Sequence, residues 1–165
     1  MNTKMKVLFT LFFLVMVNSV FGQLVDNSKD LNQMGALKLA EQARIEAQKL
    51  DKNVSIAVLN SSGVTILLLK GDNVGPHNTE ASRRKAYTAV STKTPSFELM
   101  QKAAADVTAQ NLNTLPELLL LAGGVPIWKD GELVGGLGVS GAGGGQTDHN
   151  VAQKAVENLG FSIKK

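Results

Sequence analysis

The sequence predicts an α/β (α+β) fold in which helices pack against an antiparallel sheet. Turn residues join two pairs of short apolar runs, at residues 60–63 and at Asp130-Gly131, and this pattern is typical of β-hairpins. Segments with apolar residues at helical spacing lie before, between and after the hairpins. No strand is joined to the next through a single helix, which favours an antiparallel sheet over a parallel one. The predicted order is α-β-β-α-α-β-β-β-α.

The first part of the chain is predicted to form a helix and a hairpin. Residues 31–50 carry apolar side chains at helical spacing, and Asp30 or Ser28 is suited to cap this helix. Residues 54–59 and 64–69 are apolar and contain β-branched side chains, so we expect them to form the two strands of the first hairpin.

Two helices are predicted in the middle of the chain. The loop 71–78 is dense in turn-forming residues, and Asn78 or Thr79 can cap a helix that ends near residue 91. Pro95 interrupts the chain after this helix, and Ser96 can cap a second helix that ends near residue 110.

Three strands and a closing helix complete the prediction. The strands are expected at residues 118–121, 125–129 and 133–139. A glycine-rich loop follows, and Thr147 or Asp148 can cap a helix that ends near residue 159.

The first 22 residues have the three-part pattern of a secretory signal peptide. Lys4 and Lys6 precede an uncharged apolar run at residues 7–17, and cleavage is expected after Gly22. This run is shorter than the roughly 20 residues that span a bilayer as a helix, so a retained membrane anchor is the less favoured alternative. We therefore expect a secreted or periplasmic protein without a stable membrane anchor.

Removal of this segment changes the charge of the chain. The sequence has 17 basic and 14 acidic residues, and two of the basic residues lie in the signal segment. The remaining residues, 23–165, are almost neutral and lack the clustered cationic face that phosphate neutralisation needs. We expect no nucleic-acid binding. We also expect a single domain that is held together by core packing, because the chain has no cysteine.

Glycine is concentrated near the C terminus, with most of the 16 glycines between positions 123 and 145. Residues 136–141 match G-x-G-x-x-G, but they lie inside the last predicted strand, which argues against a dinucleotide site. Ser140 and Gly141 end this strand shortly before a helix N terminus, where free N–H groups can bind an anion such as a carboxylate. A tight, closely packed turn is the alternative. Glycine within a strand also indicates close approach of another backbone or of a flat ligand.

The two histidines, His77 and His149, do not form a zinc motif because they are far apart in sequence. His77 lies in a loop ahead of a helix, where its ring is expected to be accessible, and His149 lies in the first turn of the last helix. The helix after His77 carries candidate groups for carboxylate recognition, with a solvated helical face as the alternative. These groups are Arg83, Arg84, Lys85 and Tyr87. No paired carboxylates or nucleophile–base set is visible, which favours binding over hydrolysis or metal catalysis.

Several segments together carry a resemblance to a known family. They are residues 54–58 with Gly63, residues 71–89 (GDNVGPHNTEASRRKAYTA), residues 123–127 (GGVPI) and residues 134–141 (VGGLGVSG), and Asp148 followed by Ala152 fits the closing helix. The chain resembles the GlcG/HbpS-like haem-binding proteins, which are related to the C-terminal domain of PduO. The resemblance covers nearly all of residues 23–165.

This resemblance implies a profilin-like fold, in which helices flank a five-stranded antiparallel sheet, and assembly into homo-oligomers. It also implies binding of haem or related tetrapyrroles. Haem iron takes an axial ligand, and we expect His77 to supply it, with His149 in reserve. Arg83, Arg84 or Lys85 is expected to meet a propionate, and Tyr87 to stack on the porphyrin or to form a hydrogen bond with it.

The expected function is therefore that of an exported haem-binding protein, in haem sensing, storage or protection against redox stress. The alternative is an oligomeric accessory or sensor module that binds another small acidic ligand or a partner protein, without haem. Haem degradation is the enzymatic interpretation that stays open, because the bound cofactor could supply the oxygen chemistry.

Overall fold

The computed structural model describes residues 29–165, so the predicted signal peptide and the residues up to position 28 lie outside the described residues. The elements are helix α1 (Gln33–Gln48), strands β1 (Ser55–Asn60) and β2 (Thr65–Leu69), helices α2 (His77–Thr92), α3 (Ser96–Ala105) and α4 (Val107–Gln110), a 3-10 helix (Asn111–Thr114), strands β3 (Gly124–Lys129) and β4 (Glu132–Ser140), and helix α5 (Gly145–Asn158). Within residues 29–165, no helix is both long and apolar enough to cross a membrane.

Four strands form one antiparallel sheet in the order β2-β1-β4-β3, and both predicted hairpins are confirmed. In the second hairpin Asp130 and Gly131 have φ angles of 52° and 78°, as a two-residue type I′ turn requires. In the first, the side-chain oxygen of Asn60 accepts hydrogen bonds from the backbone N–H groups of Ser62 and Val64, at 3.1 and 2.8 Å. Each turn is therefore fixed by its own residues.

The prediction of a fifth strand at residues 118–121 is wrong, and the sheet of the described residues has four strands. Side chains of α2 and α3 form hydrogen bonds with three backbone groups of this segment, where a strand would pair with a neighbouring strand. The three contacts are Arg84 Nη2 to the Leu118 carbonyl at 2.6 Å, the Leu119 N–H to Thr88 Oγ1 at 2.8 Å, and Ser96 Oγ to the Leu121 carbonyl at 2.7 Å. These three backbone groups therefore have side-chain partners outside the sheet.

Helices cover both faces of the sheet. Val58 of β1 belongs to a large apolar cluster with Leu39 of α1 and Val151 of α5. The next residue, Leu59, belongs to a second cluster with Ala86 of α2. Since successive side chains of a strand point to opposite faces, α1 and α5 cover one face of the sheet and α2 covers the other.

Glycines in β3 and β4 allow α2 to lie directly on the sheet. A Cβ atom at Gly124 would collide with the carbonyl oxygen of Lys85, and one at Gly138 would collide with that of Ser82. Gly124 and Gly138 are also cross-strand partners. The close approach expected from the strand glycines is thus made by the backbone of α2, and it brings Lys85 to the end of β4.

Helices α2 and α5 begin earlier than predicted, at His77 and Gly145, and neither has a side-chain cap. Asn78 and Asp148, which were expected to cap them, lie within the first helical turns instead. Their side chains are therefore free to make tertiary contacts, and they do so in the cleft between the two helix starts.

Candidate functional site

A cleft of about 360 Å³ lies where the start of α2 meets the end of β4. The glycine-rich loop before α5 and the segment before β3 form its other walls. The lining residues are His77, Asn78, Ala81, Lys85, Leu121, Ala122, Ser140, Gly141, Gly143, Gly144, Gly145 and Asp148.

His77 is an exposed residue of the cleft wall and the first residue of α2. Its ring lies against Gly75, where a Cβ atom would come within 3.0 Å of the ring Cε1 and within 3.2 Å of Nδ1. The ring therefore lies close to the turn that precedes the helix. An exposed imidazole can offer a ring nitrogen to a metal.

A buried ion pair between Lys85 and Asp148 forms the floor of the cleft. The side chains are 4% and 6% exposed, and Lys85 Nζ lies 2.8 Å from Asp148 Oδ2. Lys85 Nζ also donates to the Val139 carbonyl at 3.2 Å and to Ser140 Oγ at 3.1 Å. Asp148 Oδ1 accepts from the Ala142 N–H at 2.7 Å. Each charged group thus has the partners that burial requires.

Ser140 connects this ion pair to the loop before α2. Its hydroxyl donates to Asn78 Oδ1 at 2.8 Å, and Asn78 Nδ2 donates to the Gly75 carbonyl at 3.1 Å. The next residue, Gly141, has a φ of 113°, which favours glycine, and a Cβ atom there would also come within 2.7 Å of Val74. Polar contacts and close packing therefore tie the two sides of the cleft together.

Arg83 and Arg84 lie outside the lining of the cleft. Arg83 forms two hydrogen bonds with Glu80, at 3.0 and 2.7 Å, and one with Glu117 at 2.8 Å. The hydrogen bonding to Glu80 raises the pKa of the Arg83 guanidinium above its ordinary value. Arg84 donates to the Leu118 carbonyl, and its Nε is buried without a partner in residues 29–165. Both arginines hold the segment around residues 117–118 against α2.

Tyr87 and His149 also lie away from the cleft. Tyr87 packs against the second apolar cluster, which contains Leu59 and Ala86. A Cβ atom at Gly63 would come within 3.0 Å of its ring. His149 is 7% exposed and stacks on Phe97 of α3, with 5.1 Å between the ring centroids. Burial lowers the pKa of His149, and its Nδ1 has no hydrogen-bond partner among the described residues.

The sequence-predicted site residues therefore divide into two groups. The structure brings His77, Lys85, Ser140 and Gly141 together in the cleft. It places Arg83, Arg84, Tyr87 and His149 elsewhere. Asn78 and Asp148 were expected as helix caps and as part of the family resemblance, not as site residues, and no spacing rule connects either of them to Lys85.

Lys52 is a further residue that the sequence did not suggest. It is exposed and lies beside the glycine-rich loop, since a Cβ atom at Gly143 would be 3.6 Å from Lys52 Cε. It lines a second depression that shares Asn78 and Gly141 with the cleft. No local pattern marks a lone lysine before a strand, so only the fold reveals its position.

Comparison with known proteins identifies the family of this chain. The family model described as "Haem degrading protein HbpS-like" matches residues 31–157. The chain belongs to the HbpS-like family. This confirms the resemblance that the glycine-rich segments and the loop around His77 carry.

Among relatives in this family, protein GlcG of Escherichia coli (strain K12) is 37% identical over 114 residues, which are 67% of this chain and 81% of GlcG. The chain also matches the corrinoid adenosyltransferases PduO of Salmonella typhimurium and Citrobacter freundii, but it spans only 36% of their length.

Solved structures share the fold of this HbpS-like chain. A double mutant of HbpS from Streptomyces reticuli has a TM-score of 0.77 and 37% identity, over 84% of this chain and 92% of that one. PduOC, solved as a complex with haem, has a TM-score of 0.72 and 25% identity, over 84% of this chain and 99% of that one.

Proposed function

We propose that this protein binds haem, or a related tetrapyrrole, in the cleft between α2 and β4, with His77 as the ligand of the haem iron. The observation that carries the proposal is the exposed imidazole on the wall of a partly apolar cleft. The relatives support it, because the description of the family names haem and PduOC was solved in complex with haem.

The groups that line the cleft suit haem, which needs an axial ligand for iron and apolar contact for the macrocycle. His77 supplies a nitrogen, while Ala81, Leu121 and Ala122 supply an apolar wall. Leu121 is 50% exposed, so it has apolar surface that a ligand can cover. The volume of about 360 Å³ lies near the lower end of the range of about 300–1,000 Å³ for ligand pockets. We therefore expect one edge of the macrocycle to stay in contact with solvent.

Lys52 is the cation that we assign to a haem propionate, because it is exposed and lies beside the glycine-rich loop of the cleft. Arg83 and Lys85 already have carboxylate partners, and Arg84 holds a backbone carbonyl. Their contact with a propionate stays a prediction, since each would have to exchange its present partner. The contacts predicted for Tyr87 and His149 also stay predictions, and they require the cleft to extend beyond its present lining.

Haem would supply an iron centre that binds small ligands and exchanges electrons. The residues of the chain hold and orient that group: His77 binds the iron, Lys52 attracts a propionate, and the paired Lys85 and Asp148 keep the cleft walls in place.

We infer export through the signal segment, residues 1–22, to the periplasm or the exterior, where residues 23–165 act as one domain. We also infer a homo-oligomer that serves in haem sensing, storage or protection against redox stress. Binding of another small acidic ligand or a partner protein, without haem, is the competing function.

An absorbance titration with hemin tests the proposal. We expect a saturable shift of the Soret band, and we expect His77→Ala to weaken binding by about tenfold or more, which corresponds to about 1.4 kcal/mol. His149→Gln is the matched control, because it removes the second histidine, which lies outside the cleft. An unchanged Soret band and affinity in His77→Ala would exclude His77 as the ligand, and no binding by the wild type would favour the competing function.

The same samples separate binding from degradation. After addition of a reductant in the presence of oxygen, a stable porphyrin spectrum indicates a binding protein. Loss of the Soret band with formation of a stoichiometric product would indicate that the protein degrades haem.

A further inference from the structure

We propose that Lys85, Ser140 and Asn78 form a hydrogen-bond chain with a fixed direction and that this chain positions His77. The inference rests on the proposed function, in which His77 is the iron ligand. It gives a role to polar residues of the cleft other than the proposed iron ligand, and it makes them positioning residues.

The direction of the chain is set at Lys85. An ammonium group has three donors and no acceptor, so Ser140 Oγ must accept in its 3.1 Å contact with Lys85 Nζ. A serine hydroxyl has only one proton to donate. That proton goes to Asn78 Oδ1, which lies 2.8 Å from Ser140 Oγ.

The same logic fixes the orientation of the Asn78 amide. Its oxygen accepts from Ser140, so its nitrogen is left to donate to the Gly75 carbonyl at 3.1 Å. The backbone N–H of Asn78 donates to the same carbonyl at 3.0 Å. Two hydrogen bonds therefore close the turn that contains His77.

The turn depends on this chain because α2 has no side-chain cap at its start. The other end of the hydrogen-bond chain is anchored in the Lys85–Asp148 pair, where both side chains are more than nine-tenths buried. Lys85 cannot turn away without leaving a buried carboxylate unpaired, which is costly. Since the ring of His77 lies against Gly75, fixing the Gly75 carbonyl restricts where the imidazole can lie.

Two substitutions break the chain at different links. Ser140→Ala removes the middle link but leaves the Lys85–Asp148 contact in place. Asn78→Asp keeps an acceptor for Ser140 but cannot donate to the Gly75 carbonyl. Ser82→Ala is the matched control, because Ser82 is another buried serine whose hydroxyl donates to a backbone carbonyl, that of Thr79 at 2.8 Å, outside the chain.

The first measurement uses the haem-free protein and NMR relaxation of the isotope-labelled His77 ring. We expect increased ring motion in Ser140→Ala and in Asn78→Asp, no change in Ser82→Ala, and recovery in Ser140→Thr, which restores the hydroxyl. The second measurement is hemin affinity, which we expect to fall about three- to tenfold in each chain-breaking variant. The double variant should lose no more than either single one, because both act through the same chain.

Wild-type ring motion together with wild-type hemin affinity in folded Ser140→Ala and Asn78→Asp would overturn the positioning role. Should Ser140→Ala fail to fold, Asn78→Asp decides alone, since Asn78 is only half-buried. If the wild type binds no hemin while the ring motion still responds, the proposed function fails and the positioning role stands. If hemin binds through His77 but neither variant changes the motion of the His77 ring or the hemin affinity, only the positioning role fails.

Discussion

Asp148 and His149 are consecutive buried residues of α5 whose side chains lie in different surroundings. Asp148 faces the cleft, where one carboxylate oxygen contacts Lys85 and the other accepts from the Ala142 N–H. His149 stacks on Phe97, and its Nδ1 has no partner within residues 29–165. Neighbouring residues on a helix are about 100° apart, so a single step along the chain separates a cleft residue from a packing residue.

Burial of a polar group does not by itself mark a functional site. The contacts of Asp148 join α5 to α2 through Lys85 and to the loop before α5 through Ala142, at the floor of one cleft. The contacts of His149 join α5 to α3 through ring packing. Substitutions at the two positions should therefore have different consequences.

The largest effect is expected for Asp148→Asn. This change leaves the Lys85 charge buried without its counter-ion, and breaking a buried pair in this way costs about 3–5 kcal/mol. Urea unfolding measures the loss in the free energy of unfolding. The control is Glu41→Gln, which breaks the exposed pair with Arg44 and should change stability little, because solvent screens that pair. An unfolding midpoint equal to that of the wild type in Asp148→Asn would remove the distinction between the two residues.

An intermediate effect is expected from pH at His149. Burial lowers the pKa of this side chain below 6.5, its ordinary value, so the unfolded chain takes up a proton that the folded chain resists. The free energy of unfolding is therefore not reduced by His149 above pH 6.5, and it falls as the pH decreases through and below that value. We expect the wild type to lose stability between pH 7.5 and pH 5, as measured by urea unfolding at each pH.

His149→Leu is the reference for this pH series, because it removes the titrating ring. At pH 7.5 we expect it to match the wild type within about 1 kcal/mol, since the lost ring stacking is offset by removal of an unsatisfied buried nitrogen. If the stability of His149→Leu depended on pH as steeply as that of the wild type, groups other than His149 would cause the loss of stability at low pH.

The smallest effect is expected for Lys52→Met, which removes an exposed cation beside the cleft. Exposed ion pairs contribute about 0.2–1 kcal/mol, so hemin affinity should fall by no more than about fivefold. The fall should shrink at high salt, because salt screens exposed charges. An equal fall at low and high salt would argue that Lys52 does not meet a propionate.

Much of the fold could be predicted from local patterns. Asp130-Gly131 specifies a turn with two positive φ angles, and the strand glycines indicate a close approach to another backbone, which α2 makes. The segment 118–121 was assigned wrongly because a short continuous apolar run is also consistent with a fully buried strand. Three of its backbone groups pair with side chains of Arg84, Thr88 and Ser96, which are distant in sequence and leave no local signal.

The site was less predictable than the fold. His77 could be selected because the sequence indicated an accessible position before a helix. The structure has it exposed as the first residue of α2. The ion pair of Lys85 with Asp148 joins residues 63 positions apart, and no spacing rule connects them. Arg83 and Arg84 are residue types that suit an anion site. Glu80 lies three residues before Arg83, and helical spacing allows that pair. The other partners, Glu117 and the Leu118 carbonyl, lie on a segment whose position only the fold determines.

Imidazole rescue of His77→Gly tests most directly whether His77 binds the haem iron. We expect the variant to lose the wild-type Soret band with hemin, and we expect added imidazole to restore its position, because the free ring can occupy the space that the side chain has left. His149→Gly should keep the wild-type band without imidazole. A wild-type Soret band in His77→Gly before imidazole is added would contradict the assignment of His77 as the ligand.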